Sequence, residues 1–405
     1  MTEFNPGDAA HFQNETILPL FEAMRAEGPI HYCEDSAYGP YWSILNYDEI
    51  MAVDKNHRQF SSDAGLGGII IDDKIFKDDE AGFFIQNFIS MDQPQHGQHR
   101  KAVNQIVSPP SLSNFQELIT ARTRELLDEL PTNEEFDWVQ TVSIELTTMM
   151  LATLFDFPLE DRAKLTRWSD VAAAEPGSPI VGNQEQRVSE LMECLEYFSQ
   201  LKAGREKGAA NIDLLTMMAR DAVTKDQLPH EFLGNLLLLI VGGNDTTRNS
   251  MSGSVNAFNQ YPGELEKLRG EPNLIDNAVS EIIRWQTPLA HMRRTALDDM
   301  NLSGYEIKKG DKVVMWYVSG NRDERFFKNP DKYCIDREDV RKHLSFGFGI
   351  HRCMGNRLAE MQLQVLWEEI LKRFDQIEVV GDPLRTPSTF VKGYTNLEVR
   401  LHKKR

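Results

Sequence analysis

From about Pro229 to Tyr261 nothing interrupts a helical pattern except the adjacent pair Gly242-Gly243. Two glycines inside a helix cost on the order of 2 kcal/mol relative to alanine, so an apolar segment that keeps them has a reason. Either the helix packs tightly against a neighbour there, or something flat or bulky lies against the backbone and the weakened helix is free to bend. The same periodicity recurs elsewhere. Ile275, Ala278, Val279, Ile282 and Ile283 fall at i, i+3, i+4, i+7 and i+8, as do Leu363, Leu366, Trp367, Ile370 and Leu371. Strand signals are short and sit beside turn residues: Tyr41 to Ile44, Leu302 to Ile307, and Val313 to Trp316. No Gly/Pro/Ser cluster is long enough for a linker, and no repeat shows. The expected architecture is mainly α with small β-sheets (α+β), in one domain spanning residues 1–405.

Composition excludes several function classes. The 44 Lys and Arg against 62 Asp and Glu leave a net charge of −18, which repels nucleic acid and anionic lipid as a whole. The four cysteines form no Cys-x-x-Cys pair and no cluster with histidine, so neither a disulfide framework nor a structural zinc site is expected. Cys194 and Cys334 read as small hydrophobes. The N-terminus lacks the basic start and apolar run of a signal peptide. The longest aliphatic run, Leu236 to Val241, is far short of the ~20 residues a membrane helix needs. A cytoplasmic protein without a membrane span is expected.

The chemistry concentrates in Phe346-Gly347-Phe348-Gly349-Ile350-His351-Arg352-Cys353-Met354-Gly355, which runs into the helix holding Leu363 to Leu371. Backbone N–H groups at a helix start favour a thiolate, so a cysteine there is prepared as a metal ligand or a nucleophile. A nucleophile would want a base and an oxyanion hole. An aromatic residue and glycines allowing close backbone approach instead suit a broad planar cofactor ligated by sulfur. Taken alone, Glu281 and Arg284 would be an exposed ion pair, and His96 and Arg100 a solvated helix face. Asp245 and Thr246 would be a polar helix face, with Thr246 bonding back to an i−4 carbonyl.

Phe346 to Gly355 resembles the haem-binding loop of the cytochrome P450 monooxygenases. Three further matches follow that family's order: Glu281-Ile282-Ile283-Arg284 resembles its Glu-x-x-Arg motif, Gly242 to Thr247 its oxygen-activating helix, and His96 to Arg100 its His-x-x-x-Arg propionate clamp. The resemblance spans nearly the whole chain and implies the cytochrome P450 fold, with haem b between the long helix and the helix after the cysteine. It implies Cys353 as iron ligand and Phe346, Gly355, Gly243, His96, Arg100, Arg294 and His351 as haem-binding residues. Arg293 is an alternative to Arg294, and a third cation for the Glu281 and Arg284 pair is expected between Arg322 and Arg337. Asp245 and Thr246 are implied as a proton relay to bound dioxygen, since both protons must enter an apolar pocket. Electrons must come from outside, and a [2Fe-2S] ferredoxin with an NAD(P)H-dependent reductase is the expected donor. Arg100, Lys101, Arg341, Lys342, Arg352 and Arg357 would offer it a local positive face.

The segments that line the pocket in this family carry Ile70, Phe83, Phe88, Leu238, Val241, Leu289 and Phe390 here, an apolar set. Core packing would produce the same composition. Gly39 to Ile44, Phe88 to Asp92, His291 to Ala296 and Val314 to Asp323 are similar to the bacterial branch that hydroxylates medium-chain alkanes and fatty acids at the chain end. The expected protein is a monomeric, ferredoxin-dependent monooxygenase of a linear aliphatic substrate. A haem-thiolate peroxygenase, a non-enzymatic haem sensor, or a monooxygenase of a bulkier terpenoid or steroid remain as alternatives.

Overall fold

The long apolar stretch folds as one helix, Pro229–Gln260, of 32 residues, about 48 Å at 1.5 Å per residue. Glu231 accepts from the Leu228 N–H at 3.0 Å at its start, and Pro229 sits where a missing N–H costs nothing. The helix stops one residue before Pro262, which cannot continue it. Residues from Phe232 to Phe258 are mostly buried, as expected for a rod through the centre of a domain. A computed structural model describes residues 4–73, 86–174, 177–178, 180–205 and 212–404.

Other helices pack around this rod: Glu145–Phe155, Ala163–Ala173, Gln184–Arg205, Ile275–Gln286 and Asn356–Arg373. The last two carry the two apolar stripes seen in the sequence, and Ala278, Val279, Ile282, Ile283, Leu363, Leu366, Trp367 and Ile370 meet in one core. A six-residue π-helical turn, Val139–Ile144, leads into Glu145–Phe155 and ties to the long helix through Ser143 and Ser252, 2.9 Å apart.

The sheets are small, as expected. The largest has five strands in the order Ile30–Cys33, Tyr41–Ile44, Lys312–Met315, Met292–Ala296, Phe60–Ser61. Trp42 pairs parallel with Val313, and Met292 antiparallel with Met315. Leu302 to Ile307 is not one strand but part of a hairpin, Met300–Leu302 against Tyr305–Ile307. Ser303 and Gly304 turn it with positive φ of 50° and 93°. Among the described residues no helix is long and apolar enough to cross a membrane.

Candidate functional site

The segment Phe346 to Gly355 forms a closed loop, with the Cys353 N–H donating to the Phe346 carbonyl at 2.8 Å. Gly347 and Gly349 have φ of 62° and 69°, which favours glycine. A Cβ at Gly349 would also lie 2.7 Å from the Asp54 carbonyl oxygen. Gly355 caps the helix Asn356–Arg373, and a Cβ there would stand 4.0 Å from the Cys353 Sγ. Cys353 keeps exposed surface although the protein is dense around it. Its thiol departs from the expectation of a dipole-lowered acid. Burial pushes it up, against the pull of the Gly355 N–H and the Arg100 and Arg352 cations. Coordination to a metal would itself remove the proton.

Behind the loop, the Glu281 and Arg284 pair is fully buried, not exposed. Arg284 donates Nε to Oε2 at 2.6 Å and Nη2 to Oε1 at 2.8 Å. The third cation is Arg337, whose Nε lies 3.1 Å from both Glu281 oxygens. Arg284 Nη1 reaches the carbonyls of Asn321 and Pro330, and Arg337 those of Lys328, Asn329 and Lys332. One carboxylate thus fixes two guanidinium groups, which in turn fix the loop-rich segment ahead of the cysteine.

His96, Arg100 and His351 lie together. The rings of His96 and His351 are 4.1 Å apart. His96 Nδ1 is 2.8 Å from the Phe88 carbonyl and Nε2 3.0 Å from that of Ile350. Arg100 Nη2 donates to the Arg352 carbonyl at 2.6 Å. Neither ring nitrogen of buried His351 has a hydrogen-bond partner among the described residues. Burial and the nearby Arg294, His96 and Arg100 hold its basicity well below the usual range. Arg294 differs from expectation, because its Nη2 pairs with Asp54 at 2.9 Å and its Nη1 donates to the Arg293 carbonyl. Arg293, one residue earlier on an alternating strand, bonds the carbonyls of Gly67 and Leu66.

On the long helix, Leu238, Gly242 and Thr246 recur every four residues, and all three are less than fully buried, Gly242 being exposed. They form one stripe. The glycines divide their work. A Cβ on Gly242 would meet no other part of the fold within 4 Å among the described residues, whereas a Cβ on Gly243 would lie 2.8 Å from Leu151 Cδ2. Gly243 therefore serves close packing against Glu145–Phe155, and Gly242 opens the stripe. Asp245 and Thr246 do not bond each other. Consecutive helix positions point about 100° apart, so Asp245 turns to the flank, accepting from Arg248 Nη2 at 2.7 Å and Ser169 at 3.2 Å. Arg248 also reaches Asp170 at 3.4 Å. Thr246 donates back to the Gly242 carbonyl at 2.9 Å.

Of the apolar set, Ile70, Leu238, Val241, Leu289 and Phe390 are half-buried, while Phe88 is fully packed in the core. Phe83 lies outside the described residues. Sequence reading missed His291, which holds two of these segments together. The Ile71 N–H donates to His291 Nε2 at 3.0 Å, and Nδ1–H donates to the Thr389 carbonyl at 2.9 Å. Desolvation pushes its pKa down to about 4, so the ring is neutral. Asp54 was missed too. It accepts from Arg294, from the Tyr317 hydroxyl at 2.9 Å and from the Phe348 N–H at 2.7 Å. Neither residue falls in a motif, and their partners lie tens to hundreds of residues away in the chain.

A family model described as Cytochrome P450 matches residues 185–399. The linalool 8-monooxygenase of Pseudomonas putida is 34% identical over 390 residues, covering 94% of this chain and 95% of that protein. The chain belongs to the cytochrome P450 family. The steroid C26-monooxygenase of Rhodococcus jostii is 32% identical over 361 residues, 89% of this cytochrome P450 and 75% of that protein. Among solved structures, the cytochrome P450-153 of Novosphingobium aromaticivorans superposes with a TM-score of 0.92 at 42% identity, covering 99% of this chain and all of that one (100%). CYP153D17 of Sphingomonas sp. PAMC 26605 gives 0.92 at 43% identity, with 100% of both chains covered.

The family's cofactor is haem, and the donor set of this cytochrome P450 fits it. Cys353 offers one sulfur from a loop whose glycines keep side chains away. The unpaired nitrogens of His351, beside His96 and Arg100, suit an anionic edge such as haem carboxylates. The protein is a haem monooxygenase that uses dioxygen, a hydrophobic substrate and external electron donors.

Proposed function

We propose that this cytochrome P450 hydroxylates the chain end of a linear aliphatic substrate, a medium-chain alkane or fatty acid. Electrons would come from a [2Fe-2S] ferredoxin and its NAD(P)H-dependent reductase in the cytoplasm, and the protein would work as a monomer and a single domain. The observation that carries this reading is the half-buried apolar set Ile70, Leu238, Val241, Leu289 and Phe390, which offers a substrate no charged partner. A primary C–H bond is stronger than its secondary neighbours, so terminal attack requires walls that present only the chain end.

Bound haem, ligated by Cys353, supplies oxygen activation and C–H oxidation. The chain supplies the rest. Arg100, His351 and His96 hold the cofactor's acidic edge, and the apolar walls orient the substrate and exclude water. The Thr246 Oγ1–H is the hydroxyl that meets the pocket, and Asp245 holds the carboxylate from which a proton reaches it through water. Arg248 pairs with that carboxylate and holds it turned aside between deliveries. Arg341, Lys342, Arg352 and Arg357 are exposed near the cysteine loop, where an acidic ferredoxin would dock.

A second reading has its own support. Two relatives are named as monooxygenases of bulkier molecules, linalool at position 8 and a steroid at C26. Titration of the ferric Soret band separates the two. Linear alkanes and fatty acids should drive a low-to-high-spin shift and, with ferredoxin and reductase, give primary alcohols. A shift with terpenoids or steroids alone would overturn the linear-chain reading. Product with peroxide but none with the ferredoxin system would replace it with a peroxygenase.

A further inference from the structure

Asp54 ends up in a place its sequence position does not announce. It lies near the end of the helix Tyr47–Lys55, with its side chain 1% exposed. Three donors from three distant segments point at it: Arg294 Nη2 at Oδ1, 2.9 Å, and the Tyr317 hydroxyl and Phe348 N–H at Oδ2, 2.9 and 2.7 Å. The backbone joins in, because the Asp54 carbonyl is what a Cβ on Gly349 would strike. Burial raises the carboxyl above its ordinary value, against the pull of Arg294, the Phe348 N–H and Tyr317. The Tyr317 phenol is held well above its usual range by burial and by Asp54, so it stays a donor. Every polar neighbour of the carboxylate donates, which is the arrangement of an ionised group.

Two consequences meet here. Phe348 and Gly349 belong to the loop that ends in Cys353, and Asp54 anchors that loop through its backbone. Arg294 is the cation that the family resemblance puts at a haem carboxylate, and it sits close enough to His351 to depress that ring's basicity. A guanidinium already paired with a buried carboxylate presents less net charge to anything else. We propose that Asp54 is a positioning residue of the haem site: it fixes the turn leading to Cys353 and, by pairing with Arg294, withholds part of that cation's charge from the haem. The proposal rests on haem binding, which the family establishes, and not on the identity of the substrate.

The test is a redox titration of substrate-free holoenzyme, with the reduced CO spectrum as a check on ligation. Asp54→Asn keeps an oxygen for the Phe348 N–H but removes the charge. Its CO spectrum should keep the thiolate band, and its ferrous-to-ferric ratio at a fixed potential should rise about tenfold, which is 59 mV for one electron. Arg294→Gln leaves Asp54 without its cation and should lower the ratio by a similar factor once the pH is high enough to keep the carboxyl ionised. The double variant should return within about twofold of the parent. Tyr317→Phe, which removes a donor but no charge, should also stay within about twofold. Should Asp54→Asn not fold, Arg294→Gln and the charge-neutral double variant decide alone. An Arg294→Gln ratio equal to that of the parent, a double variant that keeps a large shift, or a Tyr317→Phe shift as large as that of Asp54→Asn would overturn the proposal.

Discussion

The two sides of the Cys353 site are built from different physics. On the cysteine side, Glu281, Arg284, Arg337, Asp54 and Arg294 are buried and joined by short charge-assisted bonds. On the pocket side, Ile70, Leu238, Val241, Leu289 and Phe390 are half-buried and apolar, and dispersion contacts there have no preferred direction. The difference teaches why one side can be rigid and shared while the other is free to vary. A buried ion pair tolerates almost no displacement, whereas apolar walls keep their cohesion through many volume-conserving exchanges. On the reading proposed above, ligation belongs to the first side, and substrate choice to the second.

The contrast can be broken hardest at Glu281. Glu281→Gln leaves Arg284 and Arg337 as uncompensated buried cations, and removing one partner of such a group costs about 3–5 kcal/mol. Chemical denaturation should show a loss of that size, with faster haem release. A loss under about 1 kcal/mol would mean that the network is not the anchor described here. At the border between the sides, Thr246→Ala removes the hydroxyl proposed for the relay, which bonds only back to the Gly242 carbonyl among the described residues. Product formed per NAD(P)H consumed should fall severalfold, with the difference appearing as peroxide. Unchanged coupling would remove Thr246 from the relay.

The smallest effect is expected where the walls are held together. His291→Phe keeps a ring against Trp316 and Phe390 but loses the bonds to Ile71 and Thr389. Substrate affinity should weaken about threefold and attack should spread along the chain, with the CO spectrum unchanged. The same histidine sharpens the comparison through pH. Its folded pKa of about 4 lies below the unfolded value near 6.5, so the unfolded chain binds more protons between the two. Its contribution to stability is therefore complete above about pH 6.5 and is lost as pH falls towards 4. His291→Phe should flatten the pH dependence of stability in that window. An unchanged slope would mean that the ring is not held neutral by its surroundings.

Much of this was legible beforehand. The helices Pro229–Gln260, Ile275–Gln286 and Asn356–Arg373 follow the apolar period, because burying one face of a helix demands that spacing. The Cys353 loop showed itself because ligation by sulfur, close backbone approach and a helix start all need particular residues at fixed offsets. Gly243 reads as a cofactor neighbour, and the structure also sets it close against Leu151, since a glycine in a helix looks the same whichever neighbour requires it. Arg337 could be placed only within a region. Asp245 and Thr246 were adjacent in the motif, yet the helix turns them to different partners.

The sequence by itself determined the helical architecture, the ligand loop and the residue types of the haem site, because those depend on local spacing and on chemistry that few side chains can perform. Tertiary structure alone decided that Arg337 completes the Glu281 lock, that Arg294 pairs with Asp54 while Arg293 holds Gly67, and that His291 joins Ile71 to Thr389. Those pairings link segments tens to hundreds of residues apart. A buried charge takes whichever partner the fold brings within about 3 Å, and no local pattern records which one that is.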